Sequence, residues 1–120
     1  MSERLALVVD DHPTNRLLAV ALLKKLGWTA HEADCGETAI ALAEHLAPEL
    51  VLLDISMPGL SGEQTCARLR QMPNGASIRI LAYTAHAFPE ERERFLAAGF
   101  DDILVKPISR QRLEDLVAGR

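Results

Sequence analysis

The sequence predicts an α/β domain: a five-stranded parallel sheet with helices on both faces. Three observations predict it. Short apolar runs recur along the 120 residues, and two of them, Leu5–Val9 and Leu50–Leu53, are continuously apolar. Strands covered on both faces read that way. Between the runs lie stretches with apolar residues at helical spacing, so strand and helix alternate five times. That order specifies a doubly wound domain with right-handed crossovers. The elements use nearly all of the chain, leaving no linker, repeat or low-complexity segment.

Each element has its own signal. Leu5–Val9 is the first strand. Pro13 suits the first turn of a helix that runs to Leu26 and stops at Gly27. Thr29–Ala33, short and mixed in polarity, reads as an edge strand. Glu37–Leu46 is helical and ends before Pro48, and Leu50–Leu53 is the third strand. Glu63–Met72 is a helix that ends before Pro73, and Ile78–Tyr83 is the fourth strand. Pro89, Glu90 and Glu91 open the next helix, with acids at the positive end of its dipole, and Gly99 ends it. Ile103–Val105 is the fifth strand, and Ser109 is an N-cap for a last helix over Arg110–Ala118.

Composition excludes several classes. The chain is 48% apolar and 25% charged, which excludes a disordered tail or a collagen-like repeat. At 120 residues it is expected to be one domain spanning 1–120. With 13 Lys and Arg against 17 Asp and Glu it carries a net charge of −4. An acidic domain with few aromatics is not expected to bind nucleic acid directly. No apolar run approaches the ~18 residues of a membrane span, and Met1-Ser2-Glu3-Arg4 does not open a signal peptide. A cytoplasmic domain without membrane contact is therefore expected. Cys35 and Cys66 form no CxxC pattern and read as reduced thiols. His12, His31, His45 and His86 show no metal-ligand spacing.

The chemistry lies at the strand ends. The first strand ends in Asp10-Asp11, the third in Asp54, the fourth in Thr84 and the fifth in Lys106. A parallel sheet puts all of these ends on one edge, where doubly wound folds bind ligands. Three converging carboxylates repel one another and require a cation. Oxygen ligands suit Mg²⁺, which keeps waters and takes a phosphate oxygen. Lys106 adds a positive point charge, and the Thr84 hydroxyl can donate to another phosphate oxygen. Phosphoryl transfer needs mainly positioning and charge neutralisation, and a carboxylate can be the nucleophile. Asp54, alone at the end of a central strand, is assigned as acceptor, and Asp10-Asp11 as the metal-holding pair.

These pieces resemble the receiver domain of two-component response regulators. The resemblance covers nearly the whole chain: Leu7–Asp11, Leu52-Leu53-Asp54 with Met57-Pro58-Gly59 and Gly62, Thr84-Ala85, and Lys106-Pro107. Phe95–Ile108 also fits the pattern. The stretches 11–16 and 84–87 look most like receivers of hybrid sensor histidine kinases and phosphorelays. The resemblance implies a (βα)5, flavodoxin-like receiver fold. It implies that Asp54 takes phosphate from a phosphohistidine of a histidine kinase or histidine phosphotransfer protein. It further implies Mg²⁺ bound directly by Asp11, Asp54 and the Ser56 backbone carbonyl, with Asp10 acting through water. Thr84 and Lys106 would contact the phosphate, and Lys106-Pro107 would be a cis peptide. Such a module is not an enzyme beyond phosphorylating and dephosphorylating itself. Self-association is expected at most as a weak homodimer.

Some residues refine that picture. Family members often carry Tyr or Phe three residues before the lysine, where this chain has Ile103. A full aromatic switch is therefore not expected, only a smaller packing change. His12, beside the acid pair, and His86, two residues after Thr84, either line the pocket rim and affect how long a phosphate lasts or are exposed loop imidazoles. Gly59 and Gly62 read as turn residues that let the loop after Asp54 move. The first helix carries two apolar stripes, Leu18-Leu22-Leu26 and Leu17-Val20-Ala21. Either the first packs and the second is an exposed docking surface edged by Lys24, or a wide contact buries both.

Competing classes fit less well. A haloacid dehalogenase phosphatase needs Asp-x-Asp after its first strand, and here the pair is contiguous. An FMN carrier needs a Ser/Thr/Gly-rich phosphate loop where this chain has two carboxylates. A receiver-like module that is never phosphorylated conflicts with the complete acid set, although Ile103 leaves it open.

Overall fold

Alternation along the strands divides their side chains between two cores. A computed structural model describes residues 4–57, 59–85, 88–106 and 108–117. Its strands are β1 (Leu5–Val9), β2 (Thr29–Ala33), β3 (Leu50–Asp54), β4 (Arg79–Thr84) and β5 (Asp102–Val105). They are parallel and lie in the order β2-β1-β3-β4-β5. Leu7, Val9, Val51, Leu53, Ile80 and Ile103 face a core completed by Ala39, Cys66, Leu69 and Phe95. Those four come from α2 (Gly36–Leu46), α3 (Gly62–Arg70) and α4 (Pro89–Ala98). Val8, Leu52, Leu81, Tyr83 and Leu104 face the opposite core. It is closed by Val20 and Leu23 of α1 (Pro13–Lys25) and by Leu113 and Leu116 of α5 (Arg110–Val117). Every residue of β3 is buried, whereas β2, at the sheet edge, buries only Ala33. Each fully buried leucine contributes about 2 kcal/mol of hydrophobic stabilisation. No described helix is long and apolar enough to cross a membrane.

The predicted order of elements is the observed one, and several boundaries move. β3 extends to Asp54 because Asp54 is in register with Tyr83 of β4. α3 ends at Arg70, two residues earlier than predicted, and a 3-10 turn follows at Gly75–Ser77. The reason is the Arg70 guanidinium. It donates to the carbonyls of Gly75, Ile78 and Gly99, so the chain wraps around it. Ser109 caps α5 as expected, its hydroxyl accepting from the Arg112 N–H at 3.1 Å.

The two stripes on α1 are corrected. Val20 is only 5% exposed and packs into the core with Ala19 and Leu23. The exposed apolar residues are Leu17, Leu18 and Ala21, with Leu17 at 66%. Leu22 and Leu26 are half-buried at the border. Apolar residues run almost all the way round Leu17–Leu23, so periodicity alone could not say which line faces the sheet.

Gly62 also has a different role from the one expected. A Cβ there would stand 2.6 Å from the Asp54 carbonyl oxygen and 2.8 Å from the Ile55 Cα. Its missing side chain lets the start of α3 approach the end of β3. A capping box fixes that start: Ser61 Oγ accepts from the Gln64 N–H, and Gln64 Oε1 accepts from the Ser61 N–H. Gly59 does take a turn conformation, with φ +76°. Gly62→Ala should therefore cost about 1–3 kcal/mol, read as a lower urea midpoint with an unchanged m-value. A midpoint equal to that of the parent protein would contradict the close approach.

Candidate functional site

The order of strands reverses at β1, and the crevice between the ends of β1 and β3 holds the acids. Asp10 follows β1 directly and is wholly buried. One carboxylate oxygen, Oδ1, accepts from the His12 N–H at 2.9 Å. The other, Oδ2, has no hydrogen-bond partner among the described residues and lies 3.6 Å from Lys106 Nζ. Asp54, the last residue of β3, is also buried. Its Oδ1 accepts from the Ser56 N–H at 3.1 Å and lies 3.5 Å from the same ammonium. Asp11 is more open, and its Oδ1 meets His12 Nδ1 at 3.0 Å.

Asp10, Asp11, His12 and Asp54 each offer one ligand atom, and these atoms lie within 4.8 Å of one another. Three carboxylates cluster here, two of them beside the Lys106 ammonium, and one buried carboxylate oxygen has no donor among the described residues. That arrangement suits a small divalent cation, because an unmatched buried acceptor and excess negative charge both favour one. His12 is 68% exposed, with its Nδ1 3.0 Å from Asp11 Oδ1. Thr84 ends β4 on the same edge, and its carbonyl accepts from the Lys106 N–H at 2.7 Å. Ser56 follows the cluster immediately. Ile103 is buried in the core beneath β5 and belongs to the cluster of Phe95 and Phe100. Leu17 and Ala21 lie on the exposed side of α1, and Val20 does not. His86 and the Lys106-Pro107 bond lie outside the described residues.

Two contributors were not read from the sequence. Arg16 donates through Nη1 to the Asp10 carbonyl at 2.8 Å and through Nε to Glu32 Oε1 at 2.9 Å. It braces α1 against the ends of β1 and β2. Tyr83 lies under Lys106, with Nζ 4.7 Å from the ring centroid. The one available signal for it was a tyrosine in an otherwise aliphatic strand, just before Thr84.

Residues 6–118 match the response regulator receiver domain family. The chain belongs to that family. The receiver domain is 36% identical over 111 residues to the signal transduction histidine-protein kinase BarA of Escherichia coli, covering 92% of this chain. It is 39% identical over 114 residues to the sensor protein GacS of Pseudomonas syringae, again over 92% of this chain. It spans only 12% and 13% of the length of those two proteins. Among solved structures it resembles the receiver domain of the sensor histidine kinase PA1611 from Pseudomonas aeruginosa, with 32% identity and a TM-score of 0.85. That match covers 99% of this chain and 100% of the other, which holds a magnesium ion in its active site cleft.

The electrostatics of the receiver pocket leave a measurable trace. Burial raises the Asp54 pKa from 3.8 to about 6; Asp10 adds to the rise, while the Ser56 N–H and Lys106 oppose it. Burial, then the charges of Asp10 and Asp54, push the Tyr83 phenol up to about 12. In the metal-free protein, folded Asp54 thus holds its proton more tightly than the unfolded chain does. The resulting cost to stability is absent below about pH 3.8, grows through pH 6 and is full above it. With a chelator present, Asp54→Asn should stabilise the fold by about 2–3 kcal/mol at pH 7.5, and the gain should fade by pH 4. Urea unfolding at the two pH values measures this, and an equal gain at both would contradict it.

Proposed function

We propose that this receiver domain is the phosphoacceptor of a two-component phosphorelay and that Asp54 is the residue phosphorylated. The observation that carries the reading is a buried Asp54 beside an unmatched Asp10 oxygen and the Lys106 ammonium. A carboxylate oxygen of Asp54 attacks the phosphorus of a phosphohistidine. The P–N bond breaks, and its electron pair stays on the imidazole nitrogen, which takes a proton from solvent. The product is an acyl phosphate. Lys106 neutralises charge on the incoming phosphoryl oxygens, and the Thr84 hydroxyl donates to another.

Asp11, Asp54 and the Ser56 carbonyl would hold Mg²⁺ directly, and Asp10 through water. When bound, the ion supplies positive charge against the phosphoryl oxygens. The magnesium described for the PA1611 receiver, 32% identical to this chain, supports that assignment. The free thiols of Cys35 and Cys66 suit a reducing, cytoplasmic setting. A signal transduction histidine-protein kinase and a sensor protein among the relatives support a histidine kinase or histidine phosphotransfer protein as donor.

Acetyl phosphate with Mg²⁺ should add one phosphoryl group to the intact protein and none to Asp54→Asn, read by mass spectrometry. Equal labelling of both, or none of either, refutes the assignment. Steady hydrolysis of many phosphate esters would instead favour a phosphatase.

The donor is proposed to dock on α1, where Leu17, Leu18 and Ala21 leave apolar surface exposed on the helix that follows the acid pair. Leu17→Asp combined with Ala21→Asp should slow transfer from a phosphohistidine protein about tenfold or more. Labelling by acetyl phosphate should be unchanged. Equal loss in both assays would rule out docking there.

A further inference from the structure

Lys106 is tethered by four flexible methylenes, and its carboxylate contacts are loose. Nζ lies 3.6 Å from Asp10 Oδ2 and 3.5 Å from Asp54 Oδ1. Both exceed the usual range for a direct hydrogen bond, so the carboxylates attract the ammonium without fixing its direction. Among the described residues, the Tyr83 ring also meets the ammonium, with its centroid 4.7 Å from Nζ, within cation–π range. Tyr83 is 1% exposed and held in the core with Leu52, Leu104 and Ile108. Its backbone is in register with Asp54 on one side and Leu104 on the other. The ring is therefore fixed, whereas the Lys106 side chain is 20% exposed.

We infer that Tyr83 is a positioning residue for phosphorylation of Asp54: its ring face holds the Lys106 ammonium beside the two carboxylates, ready for an incoming phosphoryl oxygen. This role rests on Asp54 being the phosphoacceptor proposed above. A ring face attracts an ammonium without taking a directed hydrogen bond, so its N–H donors stay available to the phosphoryl group. An aliphatic side chain would fill the same core space and offer no such attraction. The attraction is to the ring face, which phenylalanine also presents, so phenylalanine should replace tyrosine here and leucine should not.

The test compares Tyr83→Phe, Tyr83→Leu and the parent protein, using acetyl phosphate and saturating Mg²⁺. The second-order labelling rate of Tyr83→Leu should fall about fivefold, equivalent to about 1 kcal/mol, while Tyr83→Phe keeps the parent rate. By NMR, the Lys106 ε-methylene protons should show an upfield ring-current shift in the parent and in Tyr83→Phe, lost in Tyr83→Leu. Rescue by phenylalanine and the ring-current shift separate positioning from mere filling of the core. Parent-like labelling of Tyr83→Leu overturns the inference, as does slow labelling of a folded Tyr83→Phe. Parent Lys106 protons without an upfield shift overturn it whatever the variants do, including a Tyr83→Leu that fails to fold. If the parent itself is not labelled on Asp54, the acceptor reading falls instead, and the ring-current shift still reports the contact.

Discussion

Everything at this edge depends on keeping two carboxylates buried side by side. Asp10 and Asp54 leave water at the ends of adjacent strands, where their charges repel and only part of their hydrogen-bonding capacity is met. Such an arrangement is unfavourable by itself. It persists because β1 and β3 are locked in register from Ala6↔Leu50 to Val9↔Leu53 and buried on both faces. The sheet stabilises the fold enough to hold a pocket that opposes it. A bound cation would relieve that opposition, so the same strain that weakens the metal-free domain would favour its capture.

The parts around the pocket tie that pair to the rest of the molecule. Arg16 links the Asp10 carbonyl to Glu32 at the edge strand, and the missing side chain at Gly62 brings α3 against the Asp54 backbone. The Lys106 N–H bonds the Thr84 carbonyl at 2.7 Å, so the tips of β4 and β5 are joined. A displacement of Lys106 toward a new anion therefore loads β4 through a backbone bond as well as through the pocket. Ile103, buried on the α4 side of β5, offers no aromatic ring to swing. The aromatic side chain near Lys106 is Tyr83, on the opposite face of the sheet.

How much of this could be read from sequence follows from what each feature depends on. Buried parallel strands must be apolar on both faces, so β1 and β3 announce themselves. Parallel topology then gathers their ends, which makes Asp10, Asp11, Asp54, Thr84 and Lys106 legible as one edge from sequence. The packing line of α1 was not legible, because its apolar residues surround the helix and only the sheet decides which of them it covers. Gly62 looked like a flexible turn because a sequence shows where backbone can bend, not where another backbone passes within 2.6 Å. Arg16, Arg70 and Tyr83 act through contacts across the fold, with Arg70 reaching Gly99 from a helix far away in sequence. No local pattern records such contacts.

The placement of the lysine carries a general constraint. An ammonium that paired tightly with a buried carboxylate would neutralise the pocket and leave little charge for a phosphoryl group, while one left in water would contribute little at all. At 3.5–3.6 Å from two carboxylates and 4.7 Å from a ring, Lys106 occupies the middle ground. It offsets part of the acid charge and stays unbound by any short hydrogen bond to Asp10 or Asp54. The proposed acceptance and later release of a phosphoryl group would favour a cation held by several weak contacts rather than one strong one. The fold supplies those contacts from β1, β3 and β4, three neighbouring strands whose ends meet only because the sheet is parallel.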